Sequence, residues 1–417
     1  MRVVLFEDAA WEGLYPFTLS RPAFDLRVGV TSLARRLMTQ LARHEMKRVD
    51  LLCRDGLRPL VERDYPGHDV NGDPEGPVLF LNGRLVVTGE GLDTLLELVE
   101  RGVAIADDGV PCAVLAPADA ATGMHRALAA ALREGTAPPP PRERSVVGLP
   151  EGLRLARYPW DLIAWNAEVL QADFEWVHSS YPGHPPSLAP GAQVLHRDRV
   201  LCREEVKVEA GAILDAGSGP ILLGEGVHIL HNAVVQGPVY LGPGSVVKVG
   251  AKIEGPVSTG PRCKIGGEVE GCIFQGYGNK QHDGFLGHAY LGAWTNLGAA
   301  TNNSDLKNNY STVRVFTPGG EVATGSLFVG LLMGDHSKSA IGTCFNTGTV
   351  VGFSANVIER GFPPKHVPSF SWGGDRYDLD KAMATARTVM ARRNQVMEPA
   401  DEVLFRSLYA SEARYLG

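Results

Sequence analysis

LGEGVH ILHNAV VQGPVY LGPGSV VKVGAK IEGPVS TGPRCK IGGEVE, residues 223–270 written in sixes, is the stretch that decides the fold. Leu223, Ile229, Val235, Leu241, Val247, Ile253, Thr259 and Ile265 head the units, and all but Thr259 are aliphatic. The fifth positions are all small or β-branched: Val227, Ala233, Val239, Ser245, Ala251, Val257, Cys263 and Val269. Glycine follows the heading residue at Gly224, Gly242 and Gly260, once every 18 residues, and again at Gly266. A fixed internal period of this kind is the mark of a solenoid. Each six supplies one short strand and one turn, and three sixes make one coil of a triangular prism. The heading residue fills the narrow interior and the small residue sits near a corner. Glycine is expected to supply turn dihedrals that other residues avoid. Coils then stack at the ordinary strand separation of about 4.8 Å. The pattern predicts a left-handed parallel β-helix. A β-sandwich of short alternating strands would not hold a six-residue register.

Outward from this stretch the register breaks twice. Phe285, Leu291 and Leu297 are again six apart but out of phase, which predicts a loop over Gly276–Gly284. A second break, Asn302–Leu327, precedes Val329, Ile341, Thr347 and Phe353. Loops that leave a rigid scaffold are where ligand groups tend to sit. An open coil end exposes unpaired strands and needs a cap. Asp378–Arg414 reads as helix divided at Pro399, placed to cap the prism or to pack along it.

The preceding half alternates strands with helices. Arg2–Leu5, Val49–Leu52, Val78–Leu81 and Ala113–Leu115 read as strands. Ser32–Arg43, Gly91–Arg101 and Ala118–Arg133 read as helices, with Ser32 as an N-cap. The alternation predicts an α/β, Rossmann-like sheet, largely parallel, with ligands at the carboxyl ends of its strands. The loop after the first strand and Asn82-Gly83-Arg84 fall there. Pro138–Pro141 reads as an exposed loop and Trp160–Phe174 as a helix leading to the repeats. The expected domains are 1–190 (α/β), 191–368 (β-helix) and 369–417 (helical tail).

Forty basic against 47 acidic residues, a net charge of −7, give no reason to expect a nucleic-acid or anionic-membrane partner. Six cysteines without a CxxC pair argue against a zinc ribbon, and scattered thiols suit a reduced, cytoplasmic location.

Several motifs carry a resemblance across nearly the whole chain: Leu19-Ser20-Arg21-Pro22, Asp25-Leu26-Arg27-Val28-Gly29, Pro159-Trp160-Asp161-Leu162, Gly276–Gly287 (GYGNKQHDGFLG), Thr301–Leu306 (TNNSDL), Met333–Lys338 (MGDHSK) and Phe362–Gly374 (FPPKHVPSFSWGG). With them the chain resembles the bifunctional UDP-N-acetylglucosamine pyrophosphorylase and glucosamine-1-phosphate N-acetyltransferase family, in a variant branch of sugar nucleotidyltransferases. The resemblance implies acetyl transfer from acetyl-CoA to the amine of glucosamine 1-phosphate. It also implies nucleotidyl transfer from UTP (or dTTP) with Mg2+, giving UDP-N-acetylglucosamine, and a homotrimer with sites between chains. Two departures stand out. The glycine-rich fingerprint ending Gly-Thr-Arg is replaced by Phe6-Glu7-Asp8-Ala9-Ala10, and no clear magnesium aspartate follows the Val78–Leu81 strand, where Arg84 stands. Metal ligands are therefore not assigned. Arg21 and Arg27 are the expected phosphate holders, with Asn82, Gly83 and Arg84 beside them, because guanidinium matches phosphate geometry.

Acetyl transfer needs the substrate ammonium deprotonated, and a histidine can take that proton near neutral pH. His282 in the frame His282-Asp283-Gly284-Phe285-Leu286-Gly287 matches the family's catalytic histidine, and His288 is the rival. Phe285 stands where the family commonly has tyrosine. Asn296 and Ala299 match substrate and coenzyme A positions, where backbone N–H groups would meet an oxyanion. Asp305 is a further candidate substrate contact. Lys280, Lys307 and Arg314 read as loop cations for phosphate. Three other readings stand beside this one. The first is a zinc β-helix enzyme of the gamma carbonic anhydrase kind, using His228, His231, His282 and His288. The second is a nucleotidyltransferase with the β-helix as trimeric scaffold. The third is a non-catalytic ligand-binding trimer.

Overall fold

The computed structural model describes residues 1–138, 145–180, 183–359 and 361–411. Residues 139–141 of the proline run and 412–417 of the expected helical tail lie outside them. The eight heading residues are all at most 1% exposed. They fall in turn on three sheets whose neighbouring strands pair in parallel, building a left-handed β-helix of about ten turns. One face carries His228–Ile229, Val246–Val247 and Lys264–Ile265; the next Val234–Gln236 and Lys252–Glu254; the third Val239–Leu241 and Val257–Thr259.

The glycines repeat for a different reason from the one expected. Gly224, Gly242 and Gly260 do not have positive φ. A Cβ on Gly242 would sit 2.3 Å from the Gly260 carbonyl oxygen, and one on Gly260 would sit 2.0 Å from that of Gln275. Stacked backbones pass too close there for any side chain. The left-handed dihedrals belong to the residues two further on, Gly226 and Gly244.

The first phase break is also not a loop over Gly276–Gly284. That stretch contains an ordinary rung strand, Asn279–Lys280, paired in parallel with Lys264–Ile265. The interior sequence runs Ile265, Val269, Phe274, Lys280, Leu286, all at most 1% exposed. Two turns are simply shorter, after Ile265 and after Val269. Leu286 therefore points inward, and Phe285 lies half-buried on the outer side of the strand. The second excursion begins after the rung strand Asn302–Asn303, forms the hairpin Arg314–Thr317 with Gly320–Ala323, and returns at buried Val329. Ile341 sits on an exposed turn (80%), while the interior positions are Ser339 and Phe345.

The chain divides into two compact units. The β-helix unit takes residues 159–417 and also Tyr15–Phe17 and Arg27–Val30. The boundary thus falls at Tyr158, ahead of the expected 190, because the helix Pro159–Ser180 packs on the third face. There Asn166 Oδ1 accepts from Gly29 N–H and the Ser258 hydroxyl, both at 2.9 Å, and Asp173 accepts from Val30 N–H at 2.8 Å. The C-terminal helices Leu379–Ala391 and Pro399–Ser411 run beside the prism. Phe405 packs edge-on to His336 and Phe353, and Arg393 donates to the Arg262 carbonyl far up the coil.

The other unit has a six-stranded sheet in the order Val49–Leu52, Arg2–Phe6, Val78–Asn82, Val110–Ala116, Ala104–Asp107, Val146–Val147. It is mixed, where a largely parallel one was expected. The first three strands are parallel, but Val110–Ala116 runs antiparallel to both neighbours. Val110–Ala116 follows Ala104–Asp107 through the tight turn Asp108–Gly109, too short for the crossover a parallel pair requires. Ser32 caps Leu33–Arg43 as expected. No helix among the described residues is long and apolar enough to cross a membrane.

Candidate functional sites in the two units

At the carboxyl ends of the parallel strands stand Glu7, Asp8 and Asn82. Each polar group there already has a partner. Asp8 holds Arg84 through both carboxylate oxygens, at 2.9 Å to Nε and 2.6 Å to Nη2. Asn82 donates to the same carboxylate at 2.8 Å and accepts from Arg84 N–H. Arg84 is 1% exposed, and its remaining Nη1 donates to the Ala156 carbonyl. Glu7, with no exposed side-chain surface, accepts from Arg54 Nε and Nη2 at 3.1 Å each and from Ala23 N–H. The Arg54 guanidinium lies 3.7 Å above the Trp11 ring and also donates to the carbonyls of Thr18 and Arg21. Buried, bidentate pairs of this kind hold a backbone in place.

This corrects the expected roles of Asn82, Gly83 and Arg84. Arg84 is spent on Asp8 and cannot turn to a nucleotide without abandoning a buried carboxylate. Gly83 is required by packing, since its Cβ would meet Phe24 at 2.6 Å. Arg21 and Arg27 fall in different units. Arg21 belongs to the α/β unit, reaching Asp25 at 3.5 Å, whereas Arg27 belongs to the β-helix unit. The Arg27 backbone N–H donates to the Tyr290 hydroxyl at 2.9 Å, and its guanidinium to the Val30 carbonyl. Burial raises the Asp25 carboxyl, opposed by Arg21 and the Tyr65 hydroxyl. The residues present do not fit a magnesium ion at these strand ends. Glu7 and Asp8 are neutralised by arginines, and no group of three metal-ligating side chains occurs among the described residues.

In the β-helix unit the two histidines flank one strand, Phe285–Gly287, and stand at its two ends. His282 is exposed, and its ring meets only the Gln281 amide at 3.3 Å among the described contacts. His288 is held. Its Nδ1 lies 2.8 Å from Asp305 Oδ2, and its ring stacks on Phe328 at 5.0 Å. A Cβ on Gly271, one rung earlier, would touch the ring at 3.0 Å. His288 has φ 44, a left-handed backbone that non-glycine residues seldom adopt. Asp305 enters as the orienting carboxylate of His288, 17 residues on and one rung away. The rung period carries that signal; Phe328, from the far side of the excursion, leaves none. Phe285 flanks the same place, since a Cβ on Gly287 would meet both its ring (2.5 Å) and Asp305 Oδ2 (2.3 Å).

The other candidates disperse. Lys280 is not a loop cation. It is 1% exposed inside the prism, donating to the carbonyls of Gly266 (3.0 Å) and His282 (2.6 Å), and burial lowers its pKa to about 8. Lys307 closes its own loop on the Thr312 carbonyl, and Arg314 pairs with Glu321 across the hairpin. The Asn296 N–H donates to Ser337 O in the coil ladder, so it cannot serve an oxyanion. Ala299 lies at a half-buried turn whose carbonyl accepts from Gly342. For the zinc reading, His228 and His231 share Glu209 on early coils, far along the chain from His282 and His288.

Residues 3–181 match the family model described as sugar nucleotidyl transferase. The first part of the chain is thus similar to a sugar nucleotidyltransferase domain, and its coupling to a β-helix fits a transferase role in sugar-nucleotide biosynthesis. No curated protein matches the chain. Among solved structures, the crystal structure of mannose-1-phosphate geranyltransferase from Thermus thermophilus is similar at 13% identity, covering 57% of this chain and 92% of that one. The TM-score of that match is 0.25.

Proposed function

We propose that the β-helix unit transfers an acetyl group from acetyl-CoA to the amine of a hexosamine 1-phosphate, with glucosamine 1-phosphate favoured, and that His288 is the base. The His288–Asp305 pair is the observation that carries this reading. Nδ1–H donating to Asp305 leaves Nε2 as the acceptor, and the carboxylate stabilises the imidazolium that forms. Nε2 takes the ammonium proton, the amine attacks the thioester carbonyl, and the tetrahedral intermediate breaks its C–S bond; the leaving sulfur takes the remaining surplus nitrogen proton, giving the amide and the coenzyme A thiol. Stacking on Phe328 fixes the ring plane, so little orientational entropy remains to be lost. Among the described residues His282 has no such orienting carboxylate, and the base passes in this proposal to its rival. A homotrimer with sites between chains belongs to the same reading.

The family match favours a second reading. In it, residues 3–181 perform nucleotidyl transfer from UTP or dTTP to the sugar 1-phosphate, and the β-helix is a scaffold. The strand-end carboxylates Glu7 and Asp8 are already paired with Arg54 and Arg84. One assay separates the two. Purified protein receives acetyl-CoA and a panel of hexosamine 1-phosphates with thiol release followed, and then UTP or dTTP with Mg2+ with pyrophosphate followed. Thiol release lost in His288→Asn and retained in His282→Ala supports the proposal. Retention in His288→Asn refutes His288 as the base. Pyrophosphate without thiol release refutes acetyl transfer and leaves the second reading.

A further inference from the structure

The β-helix unit gathers five cations on its first face and the corner leading into it. Lys264 occupies the outward position of the strand Lys264–Ile265. Lys248 follows the strand stacked beside it, its N–H donating to the Ile265 carbonyl. Arg262 stands at the preceding turn, and Arg392 and Arg393 follow the helix Leu379–Ala391. A reciprocal pair of bonds fixes the two segments together: Arg262 Nη1 donates to Arg393 O at 2.6 Å, and Arg393 Nη1 to Arg262 O at 3.0 Å. Arginines elsewhere, such as Arg54, Arg84, Arg126, Arg314 and Arg387, sit against carboxylates. Among the described residues none of these five does.

The electrostatics agree with the geometry. Lys264 is lowered from the usual lysine range by burial, then by Arg393, Lys248 and Arg392. Arg393 is lowered chiefly by burial, with Arg392 and Arg262 adding repulsion and Cys263 opposing it. Beside the cluster runs an aromatic column. Arg262, Tyr277 and Trp294 hold the same turn position on successive rungs, with φ of 55, 54 and 63. The half-buried Tyr277 and Trp294 rings stack at 4.0 Å. One rung is about 4.8 Å, so cations and rings lie within the span of a single nucleotide.

We propose that this corner binds a nucleoside diphosphate group, with Lys248, Lys264, Arg262 and the Arg392–Arg393 turn around the phosphates and the Tyr277–Trp294 column beside the nucleoside. Charged donors already fixed by the coil and by the Arg262–Arg393 bonds lose little freedom on binding, and phosphate relieves their mutual repulsion. Coenzyme A and sugar nucleotides both carry the group. The site stands apart from the His288 corner, and failure of the acetyl-transfer assay leaves it intact.

The test is calorimetric titration of the full chain with pyrophosphate, UDP and coenzyme A, in wild type and in Lys248→Gln/Lys264→Gln. Saturable binding that weakens at least about tenfold in the double variant, and weakens with added salt, is the expected result. Preference for coenzyme A or for UDP over pyrophosphate then names the source. A matching rise in melting temperature with pyrophosphate, present in wild type and absent in the variant, is the second expected readout. No saturable binding of any of the three overturns the proposal, and so does binding that the double variant leaves unchanged.

Discussion

Replacing Arg84 by methionine tests whether the strand-end arginine is structural. Methionine keeps most of the side chain's volume but removes the guanidinium, so the packing loss is small. What remains is Asp8, 4% exposed, with only the Asn82 amide among the described residues still donating to its carboxylate. Three charge-assisted bonds vanish together: two to Asp8 and one to the Ala156 carbonyl. Breaking a buried pair from one side costs about 3–5 kcal/mol, because the orphaned charge keeps its desolvation penalty. That is a large share of the roughly 5–15 kcal/mol typical of a domain. Removing both charges, as Asp8→Asn with Arg84→Met, is expected to restore most of the loss, since an apolar replacement of a buried pair is often nearly neutral. The assay is urea-dependent hydrogen exchange at the amides of Arg2–Phe6, which reports on the α/β unit alone. A loss below about 1 kcal/mol in the single variant, or no recovery in the double variant, would refute the reasoning and return Arg84 to the nucleotide-binding candidates.

Two further outcomes follow from positions that the structure decides. Leu286→Ala is expected to cost about 2–5 kcal/mol, as a buried large-to-small change, and Phe285→Ala clearly less; urea midpoints in the reverse order would mean the register is misread. His366 stacks on Phe316 at 3.7 Å and meets the Tyr15 hydroxyl at 3.1 Å, and burial lowers its pKa to about 4. The unfolded ring protonates near pH 6.5 while the folded one does not, so this stabilisation is full above about pH 6.5 and falls between there and about 4. The ceiling is about 3 kcal/mol, less what partial exposure screens. Urea midpoints at pH 7.5 and 5 should diverge more in wild type than in His366→Phe, and equal divergence would remove the ring from the account.

The sequence by itself determined the solenoid. A six-residue period is a local property, because each strand and turn is specified by residues within it, and stacking only repeats the specification. The interior set from Leu223 to Ile265, the helix cap at Ser32 and the strands of the α/β unit were legible for the same reason. The motif resemblance to sugar nucleotidyltransferases agrees with the family model that matches residues 3–181, and its finer reading as the bifunctional enzyme stays a proposal. Tertiary structure decided the rest. A turn shortened after Ile265 moves every later side chain to a different side, which placed Lys280 inside and Phe285 outside. Stacked backbones, not dihedral freedom, fixed Gly242 and Gly260. The glycine-rich loop's absence could be read from Phe6–Ala10, but not its consequence, since the partners of Glu7 and Asp8 lie at Arg54 and Arg84. Spacing alone could not rank His282 against His288. Only three-dimensional proximity supplied Asp305 and Phe328 to one ring and left the other in solvent, because contacts between rungs and across an excursion have no fixed separation along the chain.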